Sequence, residues 1–327
     1  MKIAVIGSGK LGQRHLDAWS KVKGIEIVGV IARNQERLNK VANKYGTKAF
    51  SSIEELVVNS EVDVIDICTP THTHAALVVE AANHKKHVIC EKPLALNSGE
   101  AEDIIKVCEE NKVQLFVAQT LRFFPEYVDA RNQVKNGAIG NPGVIRMSRG
   151  VPHPAADSWY SDESKSGGLF VDLGVHDLDW LLWTFGDVER VMAKRVKRSS
   201  EDGNLEYGFI NLKMADGTIA HVELSWAEPK FKASFELTGD KGMITYNYDD
   251  SYPLAVQFRS EDYVQIPRTI LEKDPYQRQL EHFVKCISGE EKQIVTASDA
   301  LNVIRVAEAA LQSAEEGQPV TLGKGGK

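Results

Sequence analysis

Three side chains stand where proton and charge chemistry could be done. Lys92 ends the apolar run His87–Glu91 and precedes Pro93. A residue before proline is pushed to an extended conformation, so Lys92 would hold a fixed positive charge at a strand's carboxyl end. Such a charge can orient a hydroxyl and stabilise developing alkoxide character. The tripeptide alone also suits a surface lysine before a turn. Asp172 and His176 lie four residues apart in an otherwise apolar stretch with Leu169, Leu173, Leu178 and Leu181. On a helix they share a face and can interact. They fit an acid–base pair, in which His176 exchanges a proton with a hydroxyl or carbonyl and Asp172 orients it. They fit equally a buried Asp–His hydrogen bond that holds the helix in place.

The elements that would position these groups begin at the N-terminus. An apolar strand over 2–6 runs into Gly7-Ser8-Gly9-Lys10-Leu11-Gly12, and a helical pattern follows. This is the G-x-G-x-x-G spacing of a dinucleotide-binding turn. Gly7 allows the turn, Gly9 admits a pyrophosphate close to the backbone, and Gly12 lets the helix pack on the sheet. The helix N-terminus offers free N–H groups and partial positive charge. Where an NAD site usually carries Asp or Glu, the second strand ends in Ala32-Arg33, with Arg37 a turn later. A small residue beside arginine suits a ribose 2′-phosphate, so NADP is the expected cofactor, with NAD the alternative. Arg33 and Arg37 fit otherwise as the first turn of a solvated helix. The third strand ends Cys68-Thr69-Pro70-Thr71-His72-Thr73-His74. Thr69, Pro70, Thr71 and His74 are read as lining the cofactor site, as are Glu91 and Lys92. His72 and His74 with Cys68 make a poor zinc set, so no metal is expected.

Strand patterns at 2–6, 25–31, 62–67, 87–91 and 114–118 alternate with helical ones near 10–20, 34–44, 73–83 and 98–110. The alternation implies right-handed crossovers and a parallel, Rossmann-type sheet over residues 1–120, with ligands beyond the strands' carboxyl ends. Residues 121–327 read differently. A helix near 123–136, a strand at 143–150 and one buried helix stopping at Gly186 precede seven strand-like segments between 188 and 266. Turns such as Ala215-Asp216-Gly217 separate them, so an antiparallel sheet is expected. Helices near 276–288 and 297–315 follow, and residues 323–327 read as a disordered tail. The fold class is therefore α/β, a dinucleotide-binding domain followed by an α/β domain with a large, open, mostly antiparallel sheet.

The 327 residues carry a net charge of −7, with 43% hydrophobic and 26% charged residues. That balance argues against a nucleic-acid or anionic-membrane partner. One basic run, Lys194 to Arg198, reads as an exposed edge strand. No signal peptide or membrane span is read, and four scattered cysteines without C-x-x-C fit a reducing cytoplasm.

Together these pieces resemble the glucose-fructose oxidoreductase/inositol dehydrogenase/MocA (Gfo/Idh/MocA) family over essentially the whole chain. The glycine motif with His15, Cys68-Thr69-Pro70 with His74, and Lys86-His87-Val88 leading to Glu91-Lys92-Pro93 carry the N-terminal match. Gly167-Gly168 with Asp172, Gly174, His176 and Asp179 carries the C-terminal one. The resemblance implies a nicotinamide-dependent oxidoreductase acting on a secondary hydroxyl of a sugar, cyclitol or related polyol. It implies Lys92, Asp172 and His176 as catalytic residues and a homodimer or homotetramer formed through the second sheet. It also sets Arg122-Phe123 as the segment linking the domains, with Arg122 reaching the pocket. Two other roles found among such relatives, a non-catalytic NADP-binding regulator and a nicotinamide-using glycosidase, are the alternatives. The departure from NAD-using members is Ala32-Arg33.

Overall fold

The first strand, Lys2–Ile6 (β1), is apolar because both its faces are covered: Ile3, Ala4 and Val5 are fully buried. Continuous apolar strands of this kind belong to parallel sheets. From β1 the chain alternates through Lys10–Trp19 (α1), Glu26–Ile31 (β2), Gln35–Tyr45 (α2), Lys48–Phe50 (β3), Ile53–Asn59 (α3) and Val64–Ile67 (β4). It continues through His74–Asn83 (α4), His87–Glu91 (β5), Ser98–Glu110 (α5) and Leu115–Ala118 (β6). The strands stand in the order β3-β2-β1-β4-β5-β6, all parallel. The order reverses between β1 and β4, where a crevice opens beyond the strand ends. The sequence pattern gives every one of these elements except β3 and α3. Both are too short to show a period, and Ser52, which accepts the Glu55 N–H, caps α3.

This computed structural model describes residues 1–200, 203–250, 253–259, 263–266 and 273–323. The expected C-terminal tail lies outside them except for Gly323. The remaining elements are Pro125–Lys135 (α6), Pro142–Gly150 (β7), Glu163–Ser166 (α7), Gly168–Asp172 (α8), Gly174–Phe185 (α9), Val188–Ser200 (β8) and Gly203–Met214 (β9). Then come Ile219–Trp226 (β10), Lys232–Gly239 (β11), Gly242–Asn247 (β12), Leu254–Phe258 (β13), Tyr263–Ile266 (β14), Pro275–Ile287 (α10), Ala297–Glu316 (α11) and Val320–Thr321 (β15). Nine strands form one sheet in the order β14-β13-β12-β11-β7-β10-β9-β8-β15. Its pairs are antiparallel apart from β7 with β10. Trp180 of α9 stacks on Phe235 of β11 with ring centroids 5.3 Å apart, closing one face of that sheet. The other face is open and shows Val196, Tyr207, Phe209 and Ile219. The basic run of β8 lies beyond the two residues that β15 covers. Two of its four charges are paired: Arg195 meets Glu163 and Glu206, and Lys197 meets Glu163.

The chain divides into two compact units, Met1–Phe123 with Leu271–Leu301, and Phe124–Ile270 with Asn302–Lys327. Residues 271–301, read from sequence as part of the second domain, thus pack with the first. The cause is the apolar side of α10, where Phe283 meets Phe116 at 4.9 Å and Phe123 at 6.2 Å. All four cysteines are buried and none forms a disulfide. Among the described residues no helix is long and apolar enough to cross a membrane.

Candidate active site

The glycine turn is built as its spacing requires. Gly7 leaves β1 at φ +124°, and a Cβ there would sit 2.3 Å from the Cys68 carbonyl oxygen. A Cβ on Gly12 would fall 2.0 Å from the Gly7 carbonyl oxygen. Only glycine lets the turn, β4 and α1 approach so closely. Gly9 differs. A Cβ on it would meet nothing within 4 Å, and Gly9 caps α1 without a side-chain hydrogen bond. The first-turn amides of α1 therefore face clear space, as an anion cradle needs. Ser8 is buried, its carbonyl held by Gln13 Nε2 at 3.1 Å, while Leu11 is half-buried and Lys10 exposed.

The neighbouring strand ends carry the other predicted groups. After β2 come half-buried Ala32 and exposed Arg33, and Asn34 caps α2 by accepting the Arg37 N–H at 2.8 Å. Arg37 is also exposed, and among the described residues neither arginine has an ion-pair partner. After β4, Thr69 and Thr73 share a 2.7 Å hydrogen bond beside half-buried Pro70. Thr71 is 2% exposed, yet its Oγ1 has no hydrogen-bond partner among the described residues. A buried orphan hydroxyl asks for a partner that the protein does not supply. After β5 stands half-buried Lys92, joined to Pro93 by a cis peptide. Since β2, β1, β4 and β5 are consecutive, Arg33, the Gly9 cradle, Thr71 and Lys92 follow one another along one edge. That edge spans three strand spacings, about 14 Å. A nicotinamide dinucleotide fits these donors and this open space.

Two residues read as cofactor contacts are held by groups of the protein itself. His74 is buried, with Nδ1 2.8 Å from the Pro93 carbonyl and Nε2 2.9 Å from that of Thr69. Burial lowers its pKa against the pull of the two carbonyls, and the ring ties the β4 loop to the Lys92–Pro93 turn. It does not pair with His72, which is exposed. Glu91 is turned inward: Oε1 lies 2.9 Å from His15 Nε2, and Oε2 accepts the Lys92 N–H at 3.1 Å. Arg122 is held internally as well. It is buried, and it donates to the Ile294 carbonyl at 2.7 Å and to Asp299 at 3.1 Å.

In the second unit the expected single helix is two. Leu173 separates α8, which ends at Asp172, from α9, which carries His176. The backbone stays helical there, but the His176 N–H reaches back only to Leu173, at 3.4 Å. Asp172 is buried and His176 half-buried. Next to His176, Asp177 makes a two-pronged ion pair with Arg149 of β7 at 2.6 and 2.8 Å, and Arg149 also donates to Tyr127 Oη at 2.8 Å. Burial works against the guanidinium charge, but Asp177 more than reverses this and the Arg149 pKa is raised. Sequence reading missed this clamp. The signal was Asp177 inside an apolar helix, a position that burial forbids unless the charge is paired.

Residues 1–119 match the description "Oxidoreductase family, NAD-binding Rossmann fold", and residues 131–322 match "Oxidoreductase family, C-terminal alpha/beta domain". The chain is 29% identical over 330 residues to the "Uncharacterized oxidoreductase YrbE" of Bacillus subtilis, covering 97% of this chain and 95% of that protein. It is 28% identical to the myo-inositol 2-dehydrogenase of Thermotoga maritima, covering 98% of each. Among solved structures, the myo-inositol 2-dehydrogenase of Lactobacillus plantarum superposes with a TM-score of 0.85 at 26% identity, covering 99% of each chain.

Proposed function

The chain belongs to the Gfo/Idh/MocA family of oxidoreductases, and from that we propose that it moves a hydride between a nicotinamide cofactor and a secondary hydroxyl or carbonyl of a sugar, cyclitol or related polyol, with NADP(H) preferred. The observation that carries this reading is the order along the first sheet's edge: Arg33, the Gly9 cradle, Thr71 and Lys92 at the ends of four adjacent strands. When bound, the nicotinamide supplies the hydride acceptor or donor. The α1 amides hold the pyrophosphate, and Lys92 holds positive charge against the oxygen where negative charge develops. His176 takes the hydroxyl proton in oxidation and returns it in reduction, and Asp172 orients that exchange. The inositol dehydrogenase among its relatives supports the polyol class.

The NADP preference rests on Arg33, exposed and without an ion-pair partner among the described residues, beside the small Ala32. A charge-assisted bond to a 2′-phosphate is worth about 1.5–3 kcal/mol, so about ten- to a hundred-fold in affinity. Parallel titrations of the cofactor-stripped protein with NADPH and NADH test it. NADPH should bind at least about ten-fold tighter, and Arg33→Ala should erase the difference. Equal affinities in the native protein, or an unchanged ratio in the variant, would refute the preference and leave the family untouched.

A further inference from the structure

Inside the first unit lies a charged cluster that the proposed chemistry does not use. His15, on α1 one turn beyond Gly12, is fully buried. Its Nδ1 lies 2.8 Å from Asp66 Oδ2 of β4, and its Nε2 lies 2.9 Å from Glu91 Oε1 of β5. Both carboxylates are buried, at 0% and 3% exposure. A ring with a carboxylate on each nitrogen has work for two N–H donors, which is the imidazolium form. Burial opposes that charge, but the Asp66 carboxylate outweighs it, and the His15 pKa lies well above its ordinary value.

The remaining lone pairs of the two acids are also spoken for. Asp66 Oδ2 accepts the Trp19 indole N–H at 2.7 Å, and its Oδ1 accepts the Cys68 thiol at 3.6 Å. Burial raises the Cys68 pKa, so the thiol keeps its proton. The donor atoms of His15, Asp66 and Cys68 lie within 4.8 Å of one another, around hydrogen bonds that the three side chains make among themselves. Glu91 is the outlet. One of its oxygens is fixed by His15 and the other accepts the backbone N–H of Lys92.

We propose that His15 is a positioning residue for Lys92: its Nε2–H fixes the Glu91 carboxylate, and through it the Lys92 backbone, against the helix whose N-terminus forms the phosphate cradle. The functional consequence rests on the reading of Lys92 given above. Removing His15 leaves two buried carboxylates without their shared cation, and Glu91 loses the partner that aims it. Removing the Asp66 charge is different. It disturbs the same core, but a ring that has lost its second proton still donates Nε2–H to Glu91, with Nδ1 accepting from the new amide, and Lys92 stays in place.

That contrast is the test. Amide hydrogen exchange at Lys92 is measured in the native protein, His15→Gln and Asp66→Asn, with thermal melts of all three. Lys92 exchange should speed up at least about ten-fold in His15→Gln and stay within about three-fold of native in Asp66→Asn, though both melt lower. Equal acceleration in both, or none in His15→Gln, would make His15 a structural residue only and overturn the proposal. If His15→Gln does not fold, Glu91→Gln replaces it, since its one acceptor oxygen cannot serve both His15 and the Lys92 N–H, and the same two outcomes decide. In the native protein the His15 ring should carry a proton on Nε2 by nitrogen NMR, and an unprotonated Nε2 would overturn the proposal. Adding NADPH tests the reading beneath it. A Lys92 side-chain resonance that ignores NADPH would remove Lys92 from the cofactor site, while the exchange comparison would still decide what His15 does.

Discussion

Consider the replacement of Asp177 by asparagine. The change keeps shape and one acceptor oxygen but removes the charge that neutralises Arg149. Both side chains are nearly sealed, at 5% and 2% exposure, so water cannot take over. Breaking a buried pair by removing one partner costs about 3–5 kcal/mol, because the surviving charge stays buried. Asparagine still accepts one hydrogen bond, and Tyr127 still accepts another at 2.8 Å, so the lower end, about 3 kcal/mol, is the expectation. For a unit of this size each kcal/mol moves the melting temperature by about 2–4 °C, so calorimetry should show a fall of about 6–12 °C. Pairing Asp177→Asn with Arg149→Met removes both charges and should recover most of the loss. A single variant melting within about 2 °C of the native protein, or a double variant as damaged as the single, would show that the clamp does not hold α9 as argued.

The second and third glycines of the turn predict opposite defects. Gly9→Ala adds a methyl to open space, so melting should be unchanged while NADPH affinity drops at least about ten-fold; Gly12→Ala drives a methyl into the Gly7 carbonyl and should lower stability first. Titration and melting of the pair check this, and the reverse pattern refutes it. Burial that lowers the His74 pKa has a pH consequence. As pH falls through about 6.5, the unfolded chain takes up a proton that the folded ring refuses, so unfolding becomes easier. His74→Gln cannot titrate and should flatten that part of the acid limb in urea melts between about pH 7.5 and about pH 5; parallel limbs would count against a lowered His74 pKa.

The first sheet was legible because each of its longer elements carries its own period and the glycine spacing fixes the turn. The short β3 and α3 were not, since three and seven residues cannot display a repeat. Lys92 stood out because proline pins it. Glu91 and His74 were placed in the cofactor site because they neighbour it in sequence. Their internal partners, a buried histidine and two backbone carbonyls, were not legible there. Asp66 between Ile65 and Ile67 was the visible anomaly in an apolar strand, but its partners His15 and Trp19 lie 51 and 47 residues away, and no periodicity reports such pairings. The return of α10 to the first unit was hidden for the same reason: an amphipathic stripe shows that a helix is covered, not by what.

The account's central claim is that hydride transfer depends on Lys92 and His176, and turnover measures it most directly. A panel of sugars and cyclitols is offered with NADP⁺ and with NAD⁺, and reduced nicotinamide is followed by absorbance for the native protein, Lys92→Met and His176→Asn. The native protein should oxidise at least one polyol, and each variant should lose about a hundred-fold or more in kcat. Full activity in either variant, or no reduced cofactor from any polyol, would contradict it.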